Sequence, residues 1–458
     1  MKPYIFIYAM TAFLYGAETI STVEDRQCSH VAIYNSDRGM IYERRHVQLS
    51  PGNTRIRYED VATQIIPQTV SVHSDPVITV REQNYDVANI RRQRLLSHYV
   101  GKDVSLRLED GTEKTATLLS ADGDPIFKID EEVHIGHPGT VLLPQLPPHF
   151  SAVPKLTWDV ETRQEGQHAL DVRYLTRGMS WTADYVLTIA PDETTAHLTG
   201  WATVQNNSGI SFDTTKISLI AGDVHTVQDH SSRHRGAPMG AQASPPSGDR
   251  EMSRESLGDM HRYTLPFPTT LRNDQQKQLR LIHVDSLPVT QSYQITAPQF
   301  YTARNTHIND LPVKNILRFT TKEEHRIKEP LPGGTLRIYK EMESGLSIFS
   351  GENRLPHTPK NHEVSLRTGT AFDVTAQFRQ TEYERVSNRR AESTYELLLR
   401  NEKDSPVSVD IIVPLSGEWT LFDAPDYTRL SAHRVKFTLS VQPSEEKTLT
   451  YGVRERVR

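Results

Sequence analysis

The strongest constraint on this chain is a period of two in its hydrophobic pattern. Val435, Phe437, Leu439 and Val441 fall on one face of a segment whose other face carries Arg434, Lys436, Thr438 and Ser440. Val407, Val409, Ile411 and Val413 alternate in the same way, as do Leu449, Tyr451 and Val453, and Ile217, Leu219 and Ala221. Successive strand side chains point to opposite faces, so each run buries one face and wets the other. Helical periodicity is scarce. Many short strands parted by turn residues specify sandwiches or small barrels. The expected fold class is mainly β: antiparallel, immunoglobulin-like sandwiches, a small five-stranded barrel and one short helix.

Composition removes whole classes of function. At about 100–200 residues per domain, 458 residues suggest three domains. A hydrophobic fraction of 36% supports packed cores and excludes global disorder. A mean hydropathy of -0.54 excludes a multi-span membrane protein. Lys+Arg 52 against Asp+Glu 57 leaves a net charge of -5, which offers no broad footprint for nucleic acid. One cysteine excludes an internal disulfide framework and a multi-cysteine metal site.

The first residues read as an address. Lys2 precedes the apolar run Tyr4 to Leu14, and the small residues Gly16 and Ala17 precede the polar Glu18. A basic start, a short apolar stretch and small residues at its end are the marks of a secretory signal peptide, here 1–17. The run is shorter than the ~20 residues that a spanning helix needs. Tyr15 departs from the small residue preferred at the cleavage site, and an uncleaved anchor or a buried strand is the competing reading. Cys28 lies well past the run. As a lone thiol it is either buried and inert or free to pair between chains, and the inert reading is preferred.

A loose apolar stripe of Val87, Ile90, Leu95, Leu96 and Tyr99 predicts a helix over about Asp86 to Tyr99, with Arg91, Arg92 and Arg94 on its polar side. It reads as a linker helix with a solvated face. Beyond Gly101, alternating runs at Val104–Leu108, Thr115–Leu119, Ile126–Ile129, Val133–Ile135 and Val141–Leu143 predict the small barrel, with Asp110-Gly111 and Asp122-Gly123 as hairpin turns. Asp122, Asp124, Asp130, Glu131 and Glu132 group near these turns, but without the Gly and closing Glu of a calcium loop. From Thr226 to Arg262 the large aliphatics nearly vanish, so this stretch reads as a disordered insertion. Its His230, His234 and His261, with His225 just before it, have loose spacing and no rigid frame for a metal.

Catalytic signatures are missing. Gly178-Met179-Ser180-Trp181 lacks the final glycine of a nucleophile elbow. His362-Glu363 has no second histidine. Gly333-Gly334 leads into a strand, not a phosphate-binding helix. Glu323-Glu324-His325 lies on a polar connector. With no motif to anchor them, no catalytic, metal or cofactor residue is assigned.

Several segments are distinctive: Tyr174-Leu175-Thr176-Arg177-Gly178-Met179-Ser180-Trp181-Thr182-Ala183-Asp184-Tyr185, then Gly200-Trp201-Ala202-Thr203-Val204-Gln205-Asn206-Asn207-Ser208-Gly209, then Leu219-Ile220-Ala221-Gly222-Asp223-Val224. With Tyr34-Asn35-Ser36-Asp37, Val80 to Tyr85, Tyr263 to Pro266 and Asn401-Glu402-Lys403, they resemble the bacterial envelope family of domain of unknown function 4139. The likeness runs from about Val31 to the C-terminus. It is closest to the branch without the coiled coil of the mucoidy-inhibitor-like relatives. The resemblance implies export and β-rich domains, and it supplies no catalytic residue. Physically, Trp181 and Tyr185 share a strand face with Leu187 and Ile189, so Trp181 is expected to anchor a core. Asn206 to Gly209 has turn chemistry, and a ligand role for Trp181 or Asn207 is the minor alternative.

The expected organisation is a leader at 1–17, a β-domain at 18–98 ending in the helix, the barrel at 99–146, a sandwich at 150–325 interrupted by 226–262, and a C-terminal sandwich at 333–458. Its late connection carries Trp419, Phe422 and Tyr427, expected to cap the sandwich. The expected function is that of an exported periplasmic, outer-membrane-associated or secreted protein. It would be a non-catalytic binding or structural β-protein of the cell envelope, without a cofactor and without a transmembrane span after leader cleavage. Its partner would be an envelope protein or surface polymer, not nucleic acid. The alternative is an envelope hydrolase acting on glycan or peptide, with acids brought together by the fold.

Overall fold

A computed structural model describes residues 17–86, 90–108, 110–136, 139–147, 150–151, 153–222, 253–257, 260–298, 307–387 and 389–456. Apart from Ala17, the expected leader lies outside these residues, as does the expected insertion from 226 to 252. At the end of that insertion, Ser253–Leu257 and Met260–Thr264 are strands. The protein is mainly β, with one α-helix among the described residues, and its chain forms two compact units. One comprises Met1–Trp181, Val204–Gly222 and Arg262–Lys277; the other comprises Thr182–Thr203, Asp223–His261 and Gln278–Arg458.

The longest sheet runs in spatial order Ser253–Leu257, Met260–Thr264, Phe212–Ala221, Arg26–Tyr34, Gly39–Leu49, Gly166–Thr176 and Ser71–Asp75. Strand Gly39–Leu49 alternates as strictly as its sequence requires: Ile41, Glu43, Arg45, Val47 and Leu49 all point inward and are buried. Two of those inward residues are charged, and they are satisfied. The Glu43 carboxylate accepts hydrogen bonds from Arg26 Nη1 at 3.0 Å, Arg45 Nη2 at 2.6 Å and Tyr58 Oη at 2.8 Å. Arg45 Nη1 donates to the carbonyls of Glu59 and Ser21, and its guanidinium lies 3.8 Å from the centroid of the Tyr58 ring. Burial pushes the Tyr58 and Tyr174 hydroxyls far above their ordinary range, so both stay protonated. A second, four-stranded sheet orders Ala17–Ser21, Gly52–Tyr58, Lys155–Thr162 and Thr79–Asp86 around buried Ile56 and Trp158.

The expected barrel is corrected. All five of its strands form: Asp103–Leu108, Glu113–Ser120, Ile126–Ile129, Glu132–Ile135 and Gly139–Leu142. Their sheet is nonetheless open, with Glu132–Ile135 at one edge and Gly139–Leu142 at the other. The helix supplies the reason. Leu96 and Tyr99 pack on Val104, Leu106, Ala116, Leu118 and Phe127, covering the apolar face that closure would otherwise bury. The edge strand Glu132–Ile135 leaves Val133 60% and Ile135 77% exposed. The helix itself is shorter than expected. Asp86 ends a strand, the helix spans Arg92–His98, and Gly101 follows it at φ +78°, where a left-handed backbone favours glycine.

A further sheet orders Gln275–Pro288, Thr195–Asn206, Met179–Ile189, Gly334–Glu341 and Ser347–Leu355, and in it Met179–Ile189 and Gly334–Glu341 run parallel. Two further sheets share one core, where Phe378 meets Tyr395, Tyr395 meets Tyr451 and Tyr451 meets Phe437, each pair with ring centroids 5.4 Å apart. Between 333 and 458, Gly334–Glu341 and Ser347–Leu355 join the sheet of Met179–Ile189, while Glu363–Thr370, Val374–Ser387, Arg390–Asn401, Val407–Pro414, Arg434–Val441 and Glu446–Arg456 form the two sheets with Thr290–Thr296 and Lys314–Thr320.

Strand order discloses an internal repeat. The first copy runs Arg26–Tyr34, Gly39–Leu49, Gly166–Thr176, Met179–Ile189, Thr195–Asn206, Phe212–Ala221, Thr269–Leu271 and Gln275–Pro288. The second runs Thr290–Thr296, Lys314–Thr320, Glu363–Thr370, Val374–Ser387, Arg390–Asn401, Val407–Pro414, Arg434–Val441 and Glu446–Arg456. In both copies the seventh, sixth, first, second and third strands follow one another in one sheet, and the eighth, fifth and fourth in another. The first and sixth are parallel in each.

The corners agree atom for atom. Asn206, last of its fifth strand, donates from Nδ2 to the carbonyls of Ile210, Leu271 and Arg272. Asn401, its counterpart, donates to those of Ser405, Val441 and Gln442. Each Oδ1 accepts from the backbone two residues on, at Ser208 and Lys403, both at 3.1 Å. The turns from seventh to eighth strand hold Asp274 and Ser444, each at φ 55°.

Candidate functional site

The apolar concavity of the first unit lies where the short helix meets the free edge of the five-stranded sheet. Its volume is about 490 Å³, inside the roughly 300–1,000 Å³ usual for ligand sites. The floor comes from alternation. Val141 pairs with Leu106 across the sheet, and Val141 and Leu143 pack against the core. The helix contributes Leu95 and buried Leu96, and Ile90, 40% exposed, extends the wall. Gly139 opens the strand. A Cβ there would stand 2.2 Å from the Arg107 carbonyl, so only glycine lets the strand enter this close.

Three contacts hold the wall in place. Gln93 Nε2 donates to the Ala121 carbonyl, Tyr99 Oη donates to the Gln145 carbonyl, and the His98 ring meets Phe150 edge-on at 5.8 Å. Gly139–Leu142 pairs on one side with Asp103–Leu108, and among the described strands nothing pairs with its other side. An unpaired edge presents a row of backbone donors and acceptors. Arg92 lines the groove; Arg91, at the helix N-cap, and Arg94 are exposed outside the lining. The site therefore offers an apolar floor, a backbone edge and one lining arginine. The described lining includes no carboxylate, histidine or cysteine.

The residues singled out in the sequence disperse. Trp181 is 1% exposed, donates from Nε1 to the Ile220 carbonyl at 3.1 Å and meets Tyr263 edge-on, as a core anchor does. Asn207 is exposed. Its backbone N–H donates to the Gly178 carbonyl at 2.6 Å, and its own carbonyl accepts from Gln64 Nε2. Cys28 is exposed, which corrects its expected burial: it follows a bulge in Arg26–Tyr34 that turns it outward. Asp130, Glu131 and Glu132 face Lys114, Lys128 and His134 respectively. Glu323 to His325 form a 3-10 turn, where the hydrogen bond and charge of Lys322 hold Glu324 below its ordinary range.

His225, His230 and His234 lie outside the described residues. Trp419 packs on the second unit's core and donates to the Ala432 carbonyl, and the Phe422 ring closes over Gly452, so both cap as expected. Tyr427, 45% exposed, meets Phe437 edge-on at 6.0 Å. The basic helix was visible in sequence; its partnership with Gly139–Leu143 was not, because the intervening strands return the chain to it. Comparison with protein-family models and with curated proteins returns no match.

Proposed function

We propose that this chain is an exported, non-catalytic binding protein of the bacterial cell envelope, and that the groove takes an extended segment of an envelope protein. The resemblance to the family of domain of unknown function 4139 and the leader-like first residues support export. The observation that carries the binding reading is the coincidence of an unpaired strand edge with an apolar floor. An added strand supplies backbone hydrogen bonds, while alternate side chains fill the floor. The Arg92 guanidinium in the lining adds attraction for an acidic residue. Among the described residues no helix is long and apolar enough to cross a membrane.

Hydrogen exchange tests the groove, with an N-acetylated, C-amidated octapeptide alternating valine and glutamate as probe. Protection should rise at Gly139–Leu142 and fall away in Ile90→Asp; unchanged exchange there overturns the site. Export is tested by mass spectrometry of the periplasmic or secreted fraction, where the chain should begin near Glu18. An intact Met1 in the cytosol overturns export. Release of products from cell-wall glycan or peptide by the purified chain would instead favour the hydrolase.

A further inference from the structure

A second concavity of the first unit, about 440 Å³ in volume, shares no residue with the groove and has the opposite chemistry. Its polar lining comes from the outward positions of the strands whose inward positions build the core. Gly39–Leu49 points Glu43, Arg45 and Val47 inward, which leaves His46 and Gln48 outward. Gln48 stands directly opposite Gln167 in the register of the neighbouring strand, and such pairs have Cβ atoms about 4.5–5.5 Å apart. Gln27, in the bulge between Arg26 and Cys28, brings a third amide, and Glu24 comes from the turn before that strand.

Few of these groups are spoken for. The Asp25 carboxylate accepts from the Thr22 N–H at 2.8 Å, Gln27 Nε2 donates to the Asp25 carbonyl at 3.4 Å, and Thr19 Oγ1 donates to the Gln48 carbonyl at 3.2 Å. The Gln48 and Gln167 amides, the His46 ring and the Glu24 carboxylate have no hydrogen-bond partner among the described residues.

We infer that this cleft is a binding site for a neutral oligosaccharide chain. A primary amide offers both donors and an acceptor, and a sugar hydroxyl does the same, so side-by-side amides match adjacent hydroxyls. Ile20, 46% exposed, gives the cleft an apolar shelf for the C–H face of a pyranose ring. Glu24 and Asp25 are the charged groups of the described lining, and no lysine or arginine accompanies them, which selects against uronate or phosphate polymers. This site goes beyond the proposed groove and does not depend on it. Together the two would join an envelope protein to a surface polymer.

Isothermal titration of the full chain tests it, with cellohexaose, chitohexaose and hexagalacturonate as probes. At least one neutral hexamer should bind, and hexagalacturonate should bind at least about tenfold more weakly. The double variant Gln48→Ala, Gln167→Ala, at exposed positions, should keep its melting temperature and lose about tenfold in affinity. Ile90→Asp in the groove should bind the sugar as the parent does, so the two sites fail separately. Absence of binding by both neutral hexamers at millimolar concentration, equal binding of the uronate, or undiminished binding by the double variant overturns the inference.

Discussion

Asn206 and Asn401 show how one side chain can close a corner. Each amide donates to three backbone carbonyls at once, and each is essentially fully buried. Alanine at either position leaves those carbonyls without the donor and should cost about 2–3 kcal/mol in urea denaturation. Aspartate should cost more, because it sets an acceptor against three acceptors; a milder effect than alanine would refute this account. Glu43 carries a different burden, since it compensates two arginines. Glu43→Ala strands Arg45 and Arg26 and is expected to cost about 3–5 kcal/mol. His30 adds a pH dependence. Burial, with Arg262 and Lys216 nearby, lowers it from its ordinary value of 6.5 while its ring bonds Ser218 Oγ at 2.9 Å. The folded chain then binds this proton less readily than the unfolded chain. Its effect on stability is level above pH 6.5 and increasingly unfavourable as pH falls below that value. The melting temperature of His30→Gln should therefore fall less than that of the parent between pH 7 and 5, and parallel losses would sink the assignment.

At the scale of elements, alternation decides which face a strand buries, and the neighbours decide what covers it. Val435, Phe437 and Val441 are buried as their spacing predicts, and Phe437 is 1% exposed. Phe437→Ala should cost about 3–5 kcal/mol, read as a lowered melting temperature; an unchanged one would mean that the ring is not core. In the five-stranded sheet the same alternation predicted a closed barrel, but a helix of under two turns covers the face. Leu96→Ala should therefore cost about 2–5 kcal/mol and speed hydrogen exchange across Asp103–Leu108 and Glu113–Ser120. Exchange confined to the helix would show that the sheet does not depend on its cover. The groove arises from this substitution of helix for closure, since a closed barrel would have paired the edge Gly139–Leu142.

For the whole molecule, two compact units are expected to unfold in more than one calorimetric transition. Glu43→Ala should lower one transition and Phe437→Ala the other; a single transition moved by both would show one cooperative unit. The internal repeat left little trace in sequence. Its copies share strand order and corner geometry, yet the segment between second and third strands runs from Leu49 to Gly166 in one copy and from Thr320 to Glu363 in the other. Asn206 could be read as a turn residue, but nothing local tied it to Leu271 or Asn401 to Val441. By itself, the amino-acid sequence determined the β class, most strand positions, the inward placing of Trp181 and Phe437, and the turns, because period, side-chain volume and positive φ act over a few residues. Tertiary structure alone decided that the small sheet stays open, that Cys28 is exposed, that Glu43 and Arg45 neutralise one another inside, and that Gln48 stands beside Gln167. Those outcomes depend on which strands become neighbours, and pairing between distant segments is set by the competition of whole faces for cover, which no local pattern records.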